Sequence, residues 1–188
     1  MARLSFDPAQ LDTEGKTIYE ALLAKRKSQG APFAGPYEAL MNHPDLCQKI
    51  EALGYYLKFQ GHLPRIIYQF VVLAVARETK TAFEWIDHLD HARSAGVPQS
   101  VIDLLQTNGV SGANFPAPYH LAAQVLQASL YWQNIPDKVQ AAAITEYGPR
   151  GFIEIVVLSG FYQMFSAINQ GFDIHPLSDL QDLFQARE

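Results

Sequence analysis

The chain has 188 residues, of which 48% are hydrophobic and 18% charged, and a formal net charge of −5. That size and balance fit one folded domain with a substantial core, spanning residues 1–188. No basic stripe interleaved with aromatics offsets the acidic balance. Nucleic acid is therefore not an expected partner, because its phosphates need a basic surface to displace counterions.

The opening stretch, MARLSFDPAQL, places an acid and a proline ahead of any apolar run and does not read as a signal peptide. The richest apolar stretches, 66–76 and 152–165, are too short or too interrupted by polar residues to predict a membrane span. A cytoplasmic protein without a membrane partner is expected. Cys47 is the one cysteine, so neither an intrachain disulfide nor a Cys-x-x-Cys pair is available. It reads as a small, half-buried hydrophobe rather than a reactive thiol.

Strand signals are nearly absent, while helix signals recur along the chain. Asp12 or Thr13 is placed to cap a first helix with Ile18, Leu22 and Leu23 on one face, ending near Gly30. The Gly/Pro-rich GAPFAGPYEALMNHP predicts a wrapped connection with a short helical piece near 37–41. Pro44 suits the first turn of a helix running to about Gly61, with Ile50, Leu53 and Leu57 inward. Pro64 opens IIYQFVVLAVARE, which is apolar on nearly every side and so predicted to be central to the core.

The next helix begins at Thr81 and ends at Gly96, a residue suited to a left-handed C-terminal position. Pro98 starts a short helix over 99–106, and TNGVSGANFPAP is a loop of about a dozen residues, functional or simply a bridge. Helices are then predicted over 119–132, 136–147 and 149–171. A polar tail with Leu177, Leu180, Leu183 and Phe184 suits a short docked amphipathic helix. The fold class is all-α.

An internal repeat stands at an offset of 85 residues. PRIIYQFVVL (64–73) matches PRGFIEIVVL (149–158) in its Pro-Arg opening, a Gln/Glu at the sixth place and a closing Val-Val-Leu. Two related helical halves packed face to face would produce that pattern. The second copy has Asp173 where the first has His88, so only the first half carries a candidate site.

That site lies in TAFEWIDHLDHARSAG (81–96). Glu84, Asp87, His88 and His91 fall within about 100° of helical arc, beside an apolar stripe of Trp85, Leu89 and Ala92. A carboxylate one turn before a histidine is placed to orient the imidazole and raise its pKa, an arrangement suited to general acid–base chemistry. The competing reading is structural. Thr81 and Glu84 form a capping-box pattern, and the remaining ionisable groups make a solvated face. A metal is a further alternative, but no second helix offers a matching Glu-x-x-His, and His62, His120 and His175 are scattered. No metal or cofactor is expected, and no phosphate loop, nucleophile elbow or dinucleotide fingerprint is present.

The segment LPRIIYQFVVLAVARETKTAFEWIDHLDHARSAGVPQSVI (63–102) resembles the carboxymuconolactone decarboxylase-like family, which includes the alkylhydroperoxidase D-type proteins. The resemblance rests on Pro-Arg, an apolar helix, an aromatic-Glu-Trp triplet, His88, Ala92 and Gly96; 149–171 is similar to a later family helix. It implies an alkylhydroperoxidase D-like helical bundle and a homo-oligomer. Peroxidase members carry Cys-x-x-Cys-x-x-x-His, with a glutamate on the preceding helix. Here the cysteine places hold Thr81 and Glu84, and the glutamate place holds Gln69. That leaves no thiolate for hydroperoxide chemistry.

Decarboxylase members resemble this chain in having a Glu four residues before the His and no cysteine pair. The resemblance thus implies a cofactor-independent lyase or isomerase acting on a small carboxylated molecule. Catalytic roles fall on His88 and Glu84, and substrate binding on His91, Arg65 and Trp85. A non-catalytic scaffold or binding member that lost the redox cysteines is the alternative.

Overall fold

The computed structural model describes residues 4–28, 33–176 and 184. Among these residues the chain forms a short 3-10 turn, Pro8–Gln10, and eight helices, with no strand. The predicted tail helix lies outside the described residues apart from Phe184. Phe184 stacks edge-on against Trp85 at 5.4 Å between ring centroids.

Helix α1 (Thr13–Ser28) starts where Asp12 Oδ1 accepts the Gly15 N–H at 2.7 Å, so the cap is Asp12 rather than Thr13. Before α2 (Pro36–Leu40) the backbone passes so close to the Phe83 ring that a Cβ on Gly35 would lie 2.2 Å from it. Gly35 also has φ +65°, so both sterics and backbone conformation call for glycine there. Helix α3 (Pro44–Phe59) opens at the predicted proline, with the His43 ring accepting the Leu46 N–H at 3.4 Å.

Helix α4 (Arg65–Glu78) is the axis of the molecule. Every residue of 67–76 is buried, as its all-round apolar character requires, and α5, α6, α7 and α8 all pack on it. Its C-terminal Glu78 accepts the Val110 N–H at 2.6 Å and the Tyr131 hydroxyl at 3.0 Å. The long loop before α7 is therefore a tied bridge, with Phe115 buried edge-on against Phe70 at 5.1 Å.

Helix α5 (Ala82–Ala95) ends at Gly96 with φ 93°, the left-handed conformation its glycine allows. Helices α6 (Gln99–Asn108) and α7 (Tyr119–Leu130) follow. Helix α8 (Asp137–Gly171) holds the two predicted helices joined at Gly148, whose φ 71° and ψ 165° interrupt it ahead of Pro149. By length and composition α8 is long and apolar enough to cross a membrane, although the expectation from the apolar run 152–165 was of no such span. Its apolar face lies against α4 and α7, as in a core helix.

Two expectations change. Leu53, placed inward by periodicity, is 43% exposed, while its neighbours Ile50 and Leu57 are buried. The matched repeat segments do both become helices that open at a proline, and α4 packs on α8. However, α5 has no described helical counterpart after Gly171, so a correspondence of whole halves stays a feature of the sequence.

Candidate acid–base site

The ionisable seam of α5 splits in two when the chain folds. Glu84 and His88 are buried at 4% exposure each, while Asp87 and His91 remain exposed. Spacing put all four on one arc. Packing of α5 between α4 and α8 covers the Glu84–His88 side of that arc.

Glu84 and His88 both line a cavity of about 120 Å³. Tyr37 of α2, Lys58 and Gly54 of α3, Tyr68 of α4, Phe83 and Asp87 of α5, and Phe161, Tyr162 and Phe165 of α8 also wall it. Arg26 and Glu51 stand at its α1–α3 side, where Glu51 is held by Lys25 at 2.8 Å. The wall is mixed, with aromatic faces interrupted by a few converging polar groups. Small-molecule sites have this character.

The two central residues do not bond to each other. Glu84 Oε1 accepts from Asn169 Nδ2 at 2.7 Å across the α5–α8 contact. The His88 ring instead spans Gln69 Oε1, at 3.0 Å from Nδ1, and the Tyr162 hydroxyl, at 3.1 Å from Nε2. Tyr162 in turn shares a hydrogen bond with the Tyr68 hydroxyl at 3.0 Å. Glu84 as the residue that orients His88 is thus corrected. The imidazole lies across the helix surface toward α4 and α8, where buried polar partners are available.

The capping-box reading is corrected as well. The Thr81 N–H donates to Ala76 O at 2.8 Å, and its hydroxyl pairs with Thr79 at 3.0 Å rather than capping α5. Glu84 is left free to turn inward.

Burial dominates the proton affinities. It raises the Glu84 carboxyl to about 7, against the opposing pull of the Asn169 N–H, with Asp87 adding to the rise. It also lowers His88 well below its ordinary value, helped by the cations Lys58, His91 and Arg65. Near neutral pH, Glu84 is poised to exchange a proton while His88 is a neutral ring. Tyr68 is pushed up to about 12 by burial, and Tyr162, deeper still, well above the usual phenol range.

The expected substrate-binding residues lie outside this wall. Trp85 is 1% exposed in the core. Arg65 donates to the Lys58 carbonyl at 3.0 Å and covers the Tyr68 ring at 4.9 Å. His91 sits 5.7 Å from His88, ring to ring, with its pKa lowered by partial burial and by Lys58. Two cations do line the cavity, Arg26 and Lys58, and the Lys58 ammonium has no hydrogen-bonded or ion-paired partner among the described residues.

Cys47 is fully buried, its thiol pushed up to about 11 by burial and then by Glu51, and it does not border the cavity. Among the described residues no three His, Cys, Asp or Glu side chains converge as a metal set.

Neither a family model nor a curated protein sequence matches the chain. The chain is similar in structure to a crystal structure of a protein of unknown function from Agrobacterium tumefaciens, named as a candidate antioxidant-defence protein AhpD. The TM-score is 0.63 at 18% identity, over 77% of this chain and all of that one. The fold is AhpD-like.

Within this AhpD-like fold, Gln69 touches His88 from the helix before it. That is where the resemblance places a glutamate in the peroxidase members. Tyr68, Tyr162, Lys58 and Asn169 carried no motif of their own. Only Asn169 left a trace, standing 85 residues after Glu84, the offset of the sequence repeat.

Proposed function

We propose that the protein is a cofactor-independent lyase or isomerase that moves a proton on a small carboxylated organic molecule. Glu84 is the proton-exchanging group, and His88 is its neutral polar neighbour. The observation that supports this best is a carboxyl raised to about 7 in the wall of a small, largely aromatic cavity. A general acid works best with a pKa near the working pH. The cavity volume, about 120 Å³, suits a small organic acid rather than a nucleotide or lipid.

In this reading the substrate carboxylate faces the Lys58 ammonium, and its reacting carbon faces Glu84. For a decarboxylation, the bond to the carboxyl carbon breaks and its electron pair moves into an adjacent carbonyl, giving an enolate and CO2. Glu84 then delivers its proton to the carbon, and water reprotonates the carboxylate. In an isomerisation the ionised Glu84 first takes a proton from one substrate carbon, and that C–H electron pair moves into the carbonyl to give the enolate. Glu84 then returns the proton at another carbon, without loss of CO2. The aromatic lining favours the neutral acid form of Glu84 between turnovers.

A panel of unsaturated lactone acids and oxo acids tests the reading with purified protein. Glu84→Gln is expected to lower turnover by about 10²-fold or more. Unchanged turnover in that variant sinks the assignment. The second reading, a binding member without catalysis, has its own support: both ring nitrogens of His88 and one oxygen of Glu84 already have partners within the protein. It predicts saturable binding of a panel compound with no product formed.

Self-association belongs to the same proposal. Leu53, Tyr56, Ile153 and Val157 line an open apolar groove between α3 and the second part of α8 and are 41–56% exposed. A second copy covering that groove would remove this surface from water.

A further inference from the structure

Gln69 is 0% exposed, and its amide nitrogen Nε2, with two N–H donors, has no hydrogen-bond partner among the described residues. Its Oε1 lies 3.0 Å from His88 Nδ1. Half a turn about the last side-chain torsion exchanges the amide oxygen and nitrogen. The nitrogen then donates to the Nδ1 lone pair, and an underused carbonyl replaces the bare NH2. A buried carbonyl without a donor is less unfavourable than buried N–H groups without an acceptor.

That exchange reverses every bond in the chain. With the imidazole proton on Nε2, His88 donates to the Tyr162 oxygen at 3.1 Å, and Tyr162 donates to the Tyr68 oxygen at 3.0 Å. The Tyr68 proton is then unspent, in a residue that lines the cavity with Glu84. The opposite tautomer turns all three donors inward and presents only lone pairs.

We propose that Gln69 is a positioning residue that fixes His88 as the Nε2–H tautomer, so that the His88–Tyr162–Tyr68 chain donates toward the cavity and offers the Tyr68 hydroxyl to a carbonyl or enolate oxygen. The substrate class narrows to acids that carry a carbonyl able to take up the electron pair released at the reacting carbon. The use of the hydroxyl rests on the acid–base reading of Glu84, whereas the tautomer is a property of the resting protein. An N–H or O–H donor aimed at a developing oxyanion supplies the electrostatic half of such a reaction.

The test is nitrogen-resolved NMR of histidine-labelled wild-type protein near neutral pH, with the His88 ring assigned through its contact with the Tyr162 ring. The expected spectrum has a protonated Nε2 and a bare Nδ1. A proton on Nδ1 in the wild type overturns the proposal. Gln69→Glu, read at a pH where the introduced carboxyl is ionised and so accepts but does not donate, is expected to put a proton on Nδ1. Retention of the Nε2–H tautomer alone in that variant overturns the role of Gln69. Glu84→Gln, at a residue with no hydrogen bond to the ring, is expected to leave the wild-type tautomer unchanged. Loss of the Glu84 reading in the turnover assay and loss of this proposal in the spectrum are therefore separate results.

Discussion

Glu84 and His88 are one helical turn apart, both buried, and driven in opposite directions by the same cause. Burial favours the neutral form of each, raising the acid and lowering the base. Their effects on stability therefore have opposite signs. Glu84 binds its proton more tightly folded than unfolded, so its contribution is full below about pH 4.5 and is lost as pH rises through about 7. That shift corresponds to a loss on the order of 3 kcal/mol. His88 binds its proton less tightly when folded, so stability is lost as pH falls below the ordinary value of 6.5.

In the wild type the two slopes oppose each other between these values. Glu84→Gln is expected to leave the His88 slope exposed, making the protein less stable on acidification. His88→Gln should tilt the curve the other way. Urea unfolding at pH 5 and pH 8 measures both. Parallel curves for the two variants would mean that neither group is buried as described.

Among the helices, α8 shows how a break in sequence becomes a hinge between two packed segments. Gly148 has φ 71°, and among the described residues nothing beyond its own chain neighbours and helix backbone lies within 4 Å of the place a Cβ would take, so its backbone conformation is what opposes substitution. Gly148→Ala is expected to cost about 1–3 kcal/mol. Gly160, exposed in the same helix and also with open space at its Cβ position, is the control. Gly160→Ala should gain roughly 0.5–1 kcal/mol from helix propensity. Thermal unfolding of both variants checks the contrast, and equal shifts would contradict it. The α4–α5 pair makes the complementary point. An all-round apolar α4 draws α5 against it, and that contact buries the face on which Glu84 and His88 sit.

For the whole molecule, the open question is what covers the apolar groove between α3 and α8. Light scattering at micromolar concentration is expected to show more than one copy per particle. Ile153→Asp, a charge placed on a residue that is 56% exposed, is expected to shift the distribution toward monomer without loss of helical signal. A wild-type monomer would remove the self-association proposal and leave the cavity untouched, because Ile153 does not line it.

Helix positions, the proline starts, the glycine stop at Gly96 and the centrality of α4 were legible because each follows from local sterics or from apolar content along one segment. Spacing also put Glu84 and His88 on one face of α5, and the cysteine count alone leaves no Cys-x-x-Cys pair. Which neighbours they meet was not legible. Asn169, Tyr162, Tyr68 and Gln69 meet their partners at the site from α8 and α4 across 19 to 94 residues of sequence, and their side-chain types are ordinary in any helix. Periodicity gives the face of a helix but not the depth at which that face is buried. That depth turned an expected carboxylate–imidazole pair into a near-neutral acid and a separate neutral ring. The helix came from the sequence, whereas the chemistry on offer depends on desolvation, which exists only once α4, α5 and α8 have packed together.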